Sequence, residues 1–243
     1  MKIKLFIIAI IVSSLNCFAQ KLDKKKIDLF DSLMTLSFNK SQNTTPSVSV
    51  AIVAGNKIVY NNTLGFANVE EHIKATNSTK YYIASITKSF TGVLAAKLHF
   101  ENKIDLNQPF DSFFLGTFLD ENIRKEQITI QSLLTHSSGL KNDALTTRAA
   151  FTGYSDKGSM LNCLYSNTTF DKAQSPKYDY DNLGYNIYSL LLEERLNTNW
   201  KTMLKEELFD PLGLKNTTAF VPLNDKNIAK TYMPGENGAE LIY

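Results

Sequence analysis

The spacing of apolar residues changes character twice along the chain. Ile27, Phe30, Leu33, Met34 and Phe38 recur at intervals of three and four, the spacing that lines one face of a helix. A polar stretch from Ser41 to Pro46 ends that pattern. Val48, Val50 and Ile52 then alternate with Ser47, Ser49 and Ala51, and a second run from Lys57 to Gly65 follows across Gly55-Asn56. Alternation on both sides of a two-residue turn predicts a β-hairpin. From about residue 85 helical patterns return. Tyr81-Tyr82-Ile83 reads as a short strand, and Ser89 to Leu98, apolar almost all round apart from Lys97, predicts a helix buried on every side. Leu183, Ile187, Leu190 and Leu191 mark another helix, and Trp200 to Leu208 a third that stops before Pro211. Residues 142 to 176 are polar and weakly patterned, which predicts long loops with short helical pieces. A hairpin leading into helices makes the fold class α+β, with a sheet part over about 20–84 and a helical part over about 85–225.

The extreme N-terminus follows a different rule. Lys2 and Lys4 precede an apolar run from Leu5 to Val12 and then small and polar residues ending Cys17-Phe18-Ala19. That layout is a secretory signal peptide over 1–19, with cleavage expected near Ala19-Gln20. The run is shorter than the roughly 20 apolar residues of a membrane-spanning helix. Export to the periplasm or medium is the expectation, and Ser14-Leu15-Asn16 before Cys17 makes a poor lipoprotein signal. Loss of Lys2 and Lys4 leaves 24 basic residues against 24 acidic ones. A net charge near zero argues against a nucleic-acid or anionic-membrane partner. Cys163 then stands alone, so no disulfide forms within the mature chain.

Several chemistries lack their residues. His72, His99 and His136 are scattered with no H-E-x-x-H, so no metal site is expected. No G-x-S-x-G elbow serves a Ser-His-Asp hydrolase, which leaves His136 as a residue that holds a turn. Neither phosphate-binding glycine loop occurs, and no organic cofactor is implied.

The pattern S-x-x-K occurs three times, at Ser37 to Lys40, Ser85 to Lys88 and Ser138 to Lys141. Ser37 falls at the end of an amphipathic helix and Ser138 in a Ser-Ser-Gly turn, and neither setting holds a pair rigidly away from water. Ser85 falls at a helix start, where free backbone N–H groups favour developing negative charge. The i, i+3 spacing puts the Lys88 amine on the same face as the Ser85 hydroxyl. Lysine is a poor base at neutral pH unless burial or a neighbouring charge lowers its pKa, and the apolar helix is a source of burial. The same residues fit equally well a Ser85 that only caps the helix and a Lys88 that extends into water. A second motif, Y-x-N, occurs at Tyr60, Tyr165 and Tyr180. Tyr180-Asp181-Asn182 precedes a helix that Asp181 or Asn182 is placed to cap, so a phenol and an amide are presented at a fixed terminus. A tyrosine beside an ammonium has a lowered pKa and shares general-base work with it. Tyr60 lies inside a strand, whereas Tyr165 in the polar region competes with Tyr180.

Tyr82-Ile83-Ala84-Ser85-Ile86-Thr87-Lys88-Ser89-Phe90-Thr91-Gly92 resembles the nucleophile segment of the serine β-lactamase and penicillin-binding-protein superfamily. Leu133-Leu134-Thr135-His136-Ser137-Ser138-Gly139-Leu140, Tyr180-Asp181-Asn182-Leu183-Gly184-Tyr185 and Pro211-Leu212-Gly213-Leu214 resemble, in order, later segments of its class C-like branch. The resemblance implies Ser85 as acylated nucleophile, Lys88 and Tyr180 as the acid and base system, and Asn182 as the residue holding the substrate amide. It also selects Tyr180 over Tyr165. It implies an antiparallel sheet with a largely helical inserted domain, and a small-molecule or peptide substrate: a β-lactam, a D-alanyl peptide, an ester or a D-amino acid amide. No metal or cofactor and no particular oligomeric state is implied. The family's third motif, Lys-Thr-Gly or His-x-Gly near the C-terminus, has no counterpart here. The expectation is therefore a chain cut short after Tyr243, with C-terminal sheet strands missing. The alternative function is a catalytically incomplete binding or sensor protein.

Overall fold

The structure, a computed structural model, describes residues 23–114, 116–123, 125–151, 156–221, 225–235 and 238–242. The signal-peptide assignment lies outside these residues. The chain divides into two compact units, one drawn from 1–82 and 222–243 and the other from 83–221.

The first unit is built on the hairpin. Helix α1 (Lys24–Ser41) starts at Asp23, whose carboxylate accepts from Lys25 N. Strands β1 (Ser47–Ala54) and β2 (Lys57–Asn68) pair antiparallel, joined by Gly55-Asn56, and β2 continues the sheet to β3 (Ile73–Lys74). Gly55 has φ +61°, the positive value a two-residue hairpin turn asks of its first central residue. Part of the face of α1 expected from spacing meets β2, while Leu33 on that face stays 55% exposed. Phe30 packs edge-on against Tyr60 at 5.1 Å, and Asp31 accepts from Tyr60 OH at 2.6 Å and from Asn62 at 2.8 Å. Those two bonds hold the Asp31 carboxyl below the usual range. A late hairpin, β6 (Thr231–Gly235) with β7 (Gly238–Ile242), belongs to the same unit, and Tyr232 OH donates to Glu70 while accepting from Val69 N.

The second unit is helical. Its elements are α2 (Thr87–Phe100), α3 (Ile130–Leu134), α4 (Asp143–Phe151), α5 (Lys157–Asn167), α6 (Leu183–Leu196) and α7 (Trp200–Leu204). A π-helical turn, Lys205–Phe209, extends α7, and a two-residue bridge joins β4 (Leu140–Lys141) to β5 (Thr169–Phe170). Leu183, Ile187, Leu190 and Leu191 of α6 are all buried in one core with Leu94 and Leu98 of α2, Leu133 of α3, Leu164 of α5 and Leu204 of α7. Burial of such side chains is worth about 1.5–3 kcal/mol each.

Three expectations need correction. Residues 81–83 form no strand: Lys80 makes one parallel bridge to Ile228 and pairing stops there. Helix α2 is not buried all round, because Thr91, Leu94, Ala95 and Leu98 face the core while Val93 and Phe100 are exposed, Phe100 at 87%. Residues 142–176 hold two real helices, α4 and α5. The polar residues there work as caps: Asn142 Oδ1 accepts from Leu145 N, and Asp156 Oδ1 from Ser159 N. Cys163 lies buried in α5.

Candidate active site

Ser85 sits in a 3₁₀ turn, Ala84–Ile86, that runs directly into α2. Ala84 before it has φ +43°, a left-handed conformation costing roughly 1–2 kcal/mol in a residue with a Cβ. The chain thus reverses abruptly and presents the Ser85 hydroxyl at a helix start. One turn on, the Lys88 ammonium donates to three acceptors: Ser85 Oγ at 3.1 Å, Tyr180 OH at 2.9 Å and Asn182 Oδ1 at 2.6 Å. Those are all the donors an ammonium has. Tyr180 OH in turn lies 2.7 Å from Ser85 Oγ. Lys88 Nζ also stands 5.0 Å from the Tyr180 ring centre and 5.4 Å from that of Tyr185, within cation–π range. All four residues singled out in the sequence therefore meet, although Ser85 and Tyr180 are 95 positions apart.

The bonds from Lys88, then Ser85, push the Tyr180 phenol below its ordinary 10.0. An adjacent ammonium favours the phenolate, so Tyr180 is disposed to accept a proton.

The loop carrying Tyr180 and Asn182 is fixed from several sides. Asp181 Oδ1 accepts from Leu183 N at 2.5 Å and so caps α6. The Asn182 side chain makes no capping bond, which frees its Oδ1 for Lys88. His136 holds the loop twice, its carbonyl accepting from Asp179 N at 2.8 Å and its Nδ1 from Asp181 N at 3.2 Å. Its ring lies 4.7 Å from that of Tyr180. Behind them Gly184 lets α6 approach α3: a Cβ there would stand 2.1 Å from the Leu133 carbonyl oxygen. Gly184→Val should cost at least the roughly 1–3 kcal/mol of an overpacked core and displace Tyr180. Thermal unfolding and the rate of active-site labelling both read this out. A variant with wild-type values in both would show that α3 and α6 separate freely.

Burial, then the Lys88 charge, lowers the His136 pKa below 6.5. The fold thus favours neutral imidazole, whose Nδ1 accepts from Asp181. Its contribution to stability is complete above 6.5 and is lost as pH falls through that value towards the lower folded pKa. Unfolding measured from pH 8 to 5 should show this loss, diminished in His136→Asn.

The other motif copies are built into the frame. Tyr165 packs its ring on Phe118 at 5.4 Å and its OH accepts from Gly116 N. Tyr60 is engaged with Asp31. Ser37 lies near the end of α1, and Lys141 is paired with Asp179 at 2.5 Å. Among the described residues no group of three or more His, Cys, Asp or Glu is placed to hold a metal ion, and no helix is long and apolar enough to cross a membrane.

A serine-lysine-tyrosine constellation at a helix start, in a chain of antiparallel hairpins and buried helices, is that of the serine β-lactamase and penicillin-binding-protein class of fold. Residues 21–240 match the Beta-lactamase family, and the chain belongs to it. It is 28% identical over 173 residues to Protein flp of Staphylococcus aureus (strain MW2), covering 71% of this chain and 34% of that protein. It is 30% identical over 217 residues to the putative D-alanyl-D-alanine carboxypeptidase of Escherichia coli K12, covering 82% and 49%. The octameric penicillin-binding protein homologue from Pyrococcus abyssi superposes with a TM-score of 0.68 at 22% identity, over 89% of this chain and 50% of that one. The chain thus spans between a third and a half of the length of these proteins.

Proposed function

We propose that the protein is a serine hydrolase that forms an acyl-enzyme at Ser85 with an amide or ester substrate of the β-lactam, D-alanyl peptide or ester class. The observation that carries this is Ser85 Oγ within 3.1 Å of Lys88 Nζ and 2.7 Å of Tyr180 OH at once. Tyr180, as phenolate held by the Lys88 ammonium, takes the Ser85 proton while Oγ bonds to the substrate carbonyl carbon. The same proton passes to the leaving nitrogen or oxygen as the tetrahedral intermediate collapses. Water, deprotonated by the same pair, then attacks the ester carbonyl, and that proton passes to Ser85 Oγ as the acid product leaves. The Ser85 N–H, in the first turn of its helix, is one donor for the oxyanion. Asn182 Nδ2 stays available to a substrate amide while its Oδ1 is held by Lys88. The 1–19 leader is proposed to export the protein, which makes cell-wall peptides accessible to it.

The test is exposure of the full-length protein to a fluorophosphonate or labelled penicillin, followed by mass mapping of the adduct. Label on the Ser85 peptide supports the reading. Reversible binding of the penicillin with no adduct supports instead a binding or sensor protein.

A further inference from the structure

The third S-x-x-K copy ends in Lys141, and its place in the fold is specific. Lys141 lies on β4, fixed by pairing with Thr169 of β5, while the Asp171 N–H bonds to the Gly139 carbonyl at 2.8 Å. From this support Lys141 Nζ reaches Asp179 Oδ2 at 2.5 Å and Asp181 Oδ2 at 3.7 Å. These are the residues immediately before and after Tyr180. A single ammonium therefore bridges the two carboxylates that flank the tyrosine of the site.

We propose that Lys141 is a positioning residue for Tyr180: it ties both neighbours of the tyrosine to β4 and offsets part of their charge, so that the phenol answers to Lys88 more than to the two carboxylates that flank it.

This rests on the reading of Tyr180 as part of the base. The groups facing Tyr180 are Lys88 and Ser85 on the α2 side, Asn182 and Tyr185 on the α6 side, His136 after α3, and Asp179 and Asp181 in its own loop. Of these the Lys88 side chain and the Asp181 carboxylate act on the Tyr180 phenol in opposite directions, with Asp179 on its other side. Asp181 acts to raise the Tyr180 pKa against the larger lowering by Lys88. The Asp179 bond pushes the Lys141 pKa up, so Lys141 remains charged wherever the site works. A negative field moves the Tyr180 titration to higher pH and a positive field to lower pH.

Lys141→Met and Asp179→Asn break the same contact but change the local charge in opposite directions, the first by one unit more negative and the second by one unit less. A brace with no electrostatic role would give both variants the same defect. The measurement is the rate of fluorophosphonate labelling of the full-length protein from pH 5 to 10. Lys141→Met should move the rising limb to higher pH by roughly half a unit, the scale of a partly solvent-screened charge, and Asp179→Asn should move it to lower pH by a similar amount. Lys141→Arg should keep the wild-type limb and recover most of the rate. Limbs that stay in place in both charge variants, with only the plateau reduced, would overturn the proposal and leave Lys141 a mechanical brace. If Lys141→Met does not fold, the direction of the Asp179→Asn shift and the rescue by Lys141→Arg decide the matter. Tyr180→Phe measured in parallel separates the two levels. Wild-type labelling by Tyr180→Phe removes the base assignment and this proposal with it, whereas loss of labelling there with unmoved limbs in the charge variants removes only the proposal.

Discussion

Ser85→Ala is expected to abolish covalent labelling by fluorophosphonate or labelled penicillin and to leave the fold intact. The loss follows from chemistry, since no other hydroxyl in the described site is bonded to both an ammonium and a phenol. The stability expectation follows from exposure. Ser85 lies at the surface, so Lys88 and Tyr180 lose one partner each but exchange it for water. A surface change of this kind is usually within about 0.5 kcal/mol. Ser37→Ala and Ser138→Ala should label at the wild-type site. Ser37 is exposed on α1, and the Ser138 hydroxyl is occupied in its own turn, accepting from Leu140 N at 3.3 Å. Retained labelling in Ser85→Ala, with loss in a folded control, would assign the nucleophile elsewhere.

Local rules nominated the site residues, and the resemblance to the family's ordered segments decided among them, selecting Tyr180 over Tyr165 and giving Asn182 its role. Ser85 and Lys88 are tied by helical spacing, and Asn182 sits at a helix start. The hairpin follows from strict alternation around Gly55-Asn56, and α6 from four leucine and isoleucine residues at helical intervals. What sequence spacing cannot supply is the partner of a side chain across the fold. Lys141 and Asp179 are 38 positions apart, and nothing local distinguishes Lys141 from the other lysines. Its motif match at Ser138 is an accident of spelling, while its position beside the Tyr180 loop is an outcome of the β4–β5 bridge. His136 was legible only as a turn residue. Its φ of +57° agrees with a turn, but the bond from Asp181 N requires the folded loop.

The errors have physical causes as well. Apolar character all round α2 predicts burial, yet hydrophobicity does not say how many neighbours a helix will have. Phe90 finds Phe209 at 5.4 Å, while Val93 on another face remains exposed. The opposite error hid α4 and α5. Each is anchored by few buried side chains, Leu145 in one and Met160, Cys163 and Leu164 in the other, so their apolar periodicity is faint. Asn142, counted as a polar loop residue, is buried. Its amide donates to Cys163 O at 3.1 Å and Thr168 Oγ1 at 2.9 Å while its oxygen caps Leu145 N. A polar residue that satisfies all its bonds inside the protein looks, in sequence, the same as one that lies in water.

Lys88→Met and Tyr180→Phe are each expected to slow acylation by about 10² to 10⁴, the usual worth of a positioned acid or base. Both variants keep most of the side-chain volume, so the change falls on the proton path. Lys88→Met removes the cation that lowers the Tyr180 pKa and the donor that orients Asn182. Tyr180→Phe removes the atom 2.7 Å from Ser85 Oγ and leaves Lys88 with two of its three acceptors. If both residues handle one proton, as proposed, the double variant should lose much less than the product of the single losses. The pH profile adds an independent check. With Lys88 absent, the phenol reverts towards its ordinary 10.0, so the residual activity of Lys88→Met should rise steeply only in alkaline solution. Single-turnover labelling rates for the four proteins of the cycle, taken across pH, provide both tests. Multiplicative losses, with no alkaline shift in Lys88→Met, would separate the two residues into unrelated roles. Strong coupling together with the shift would establish that Lys88 acts through Tyr180 on the Ser85 proton.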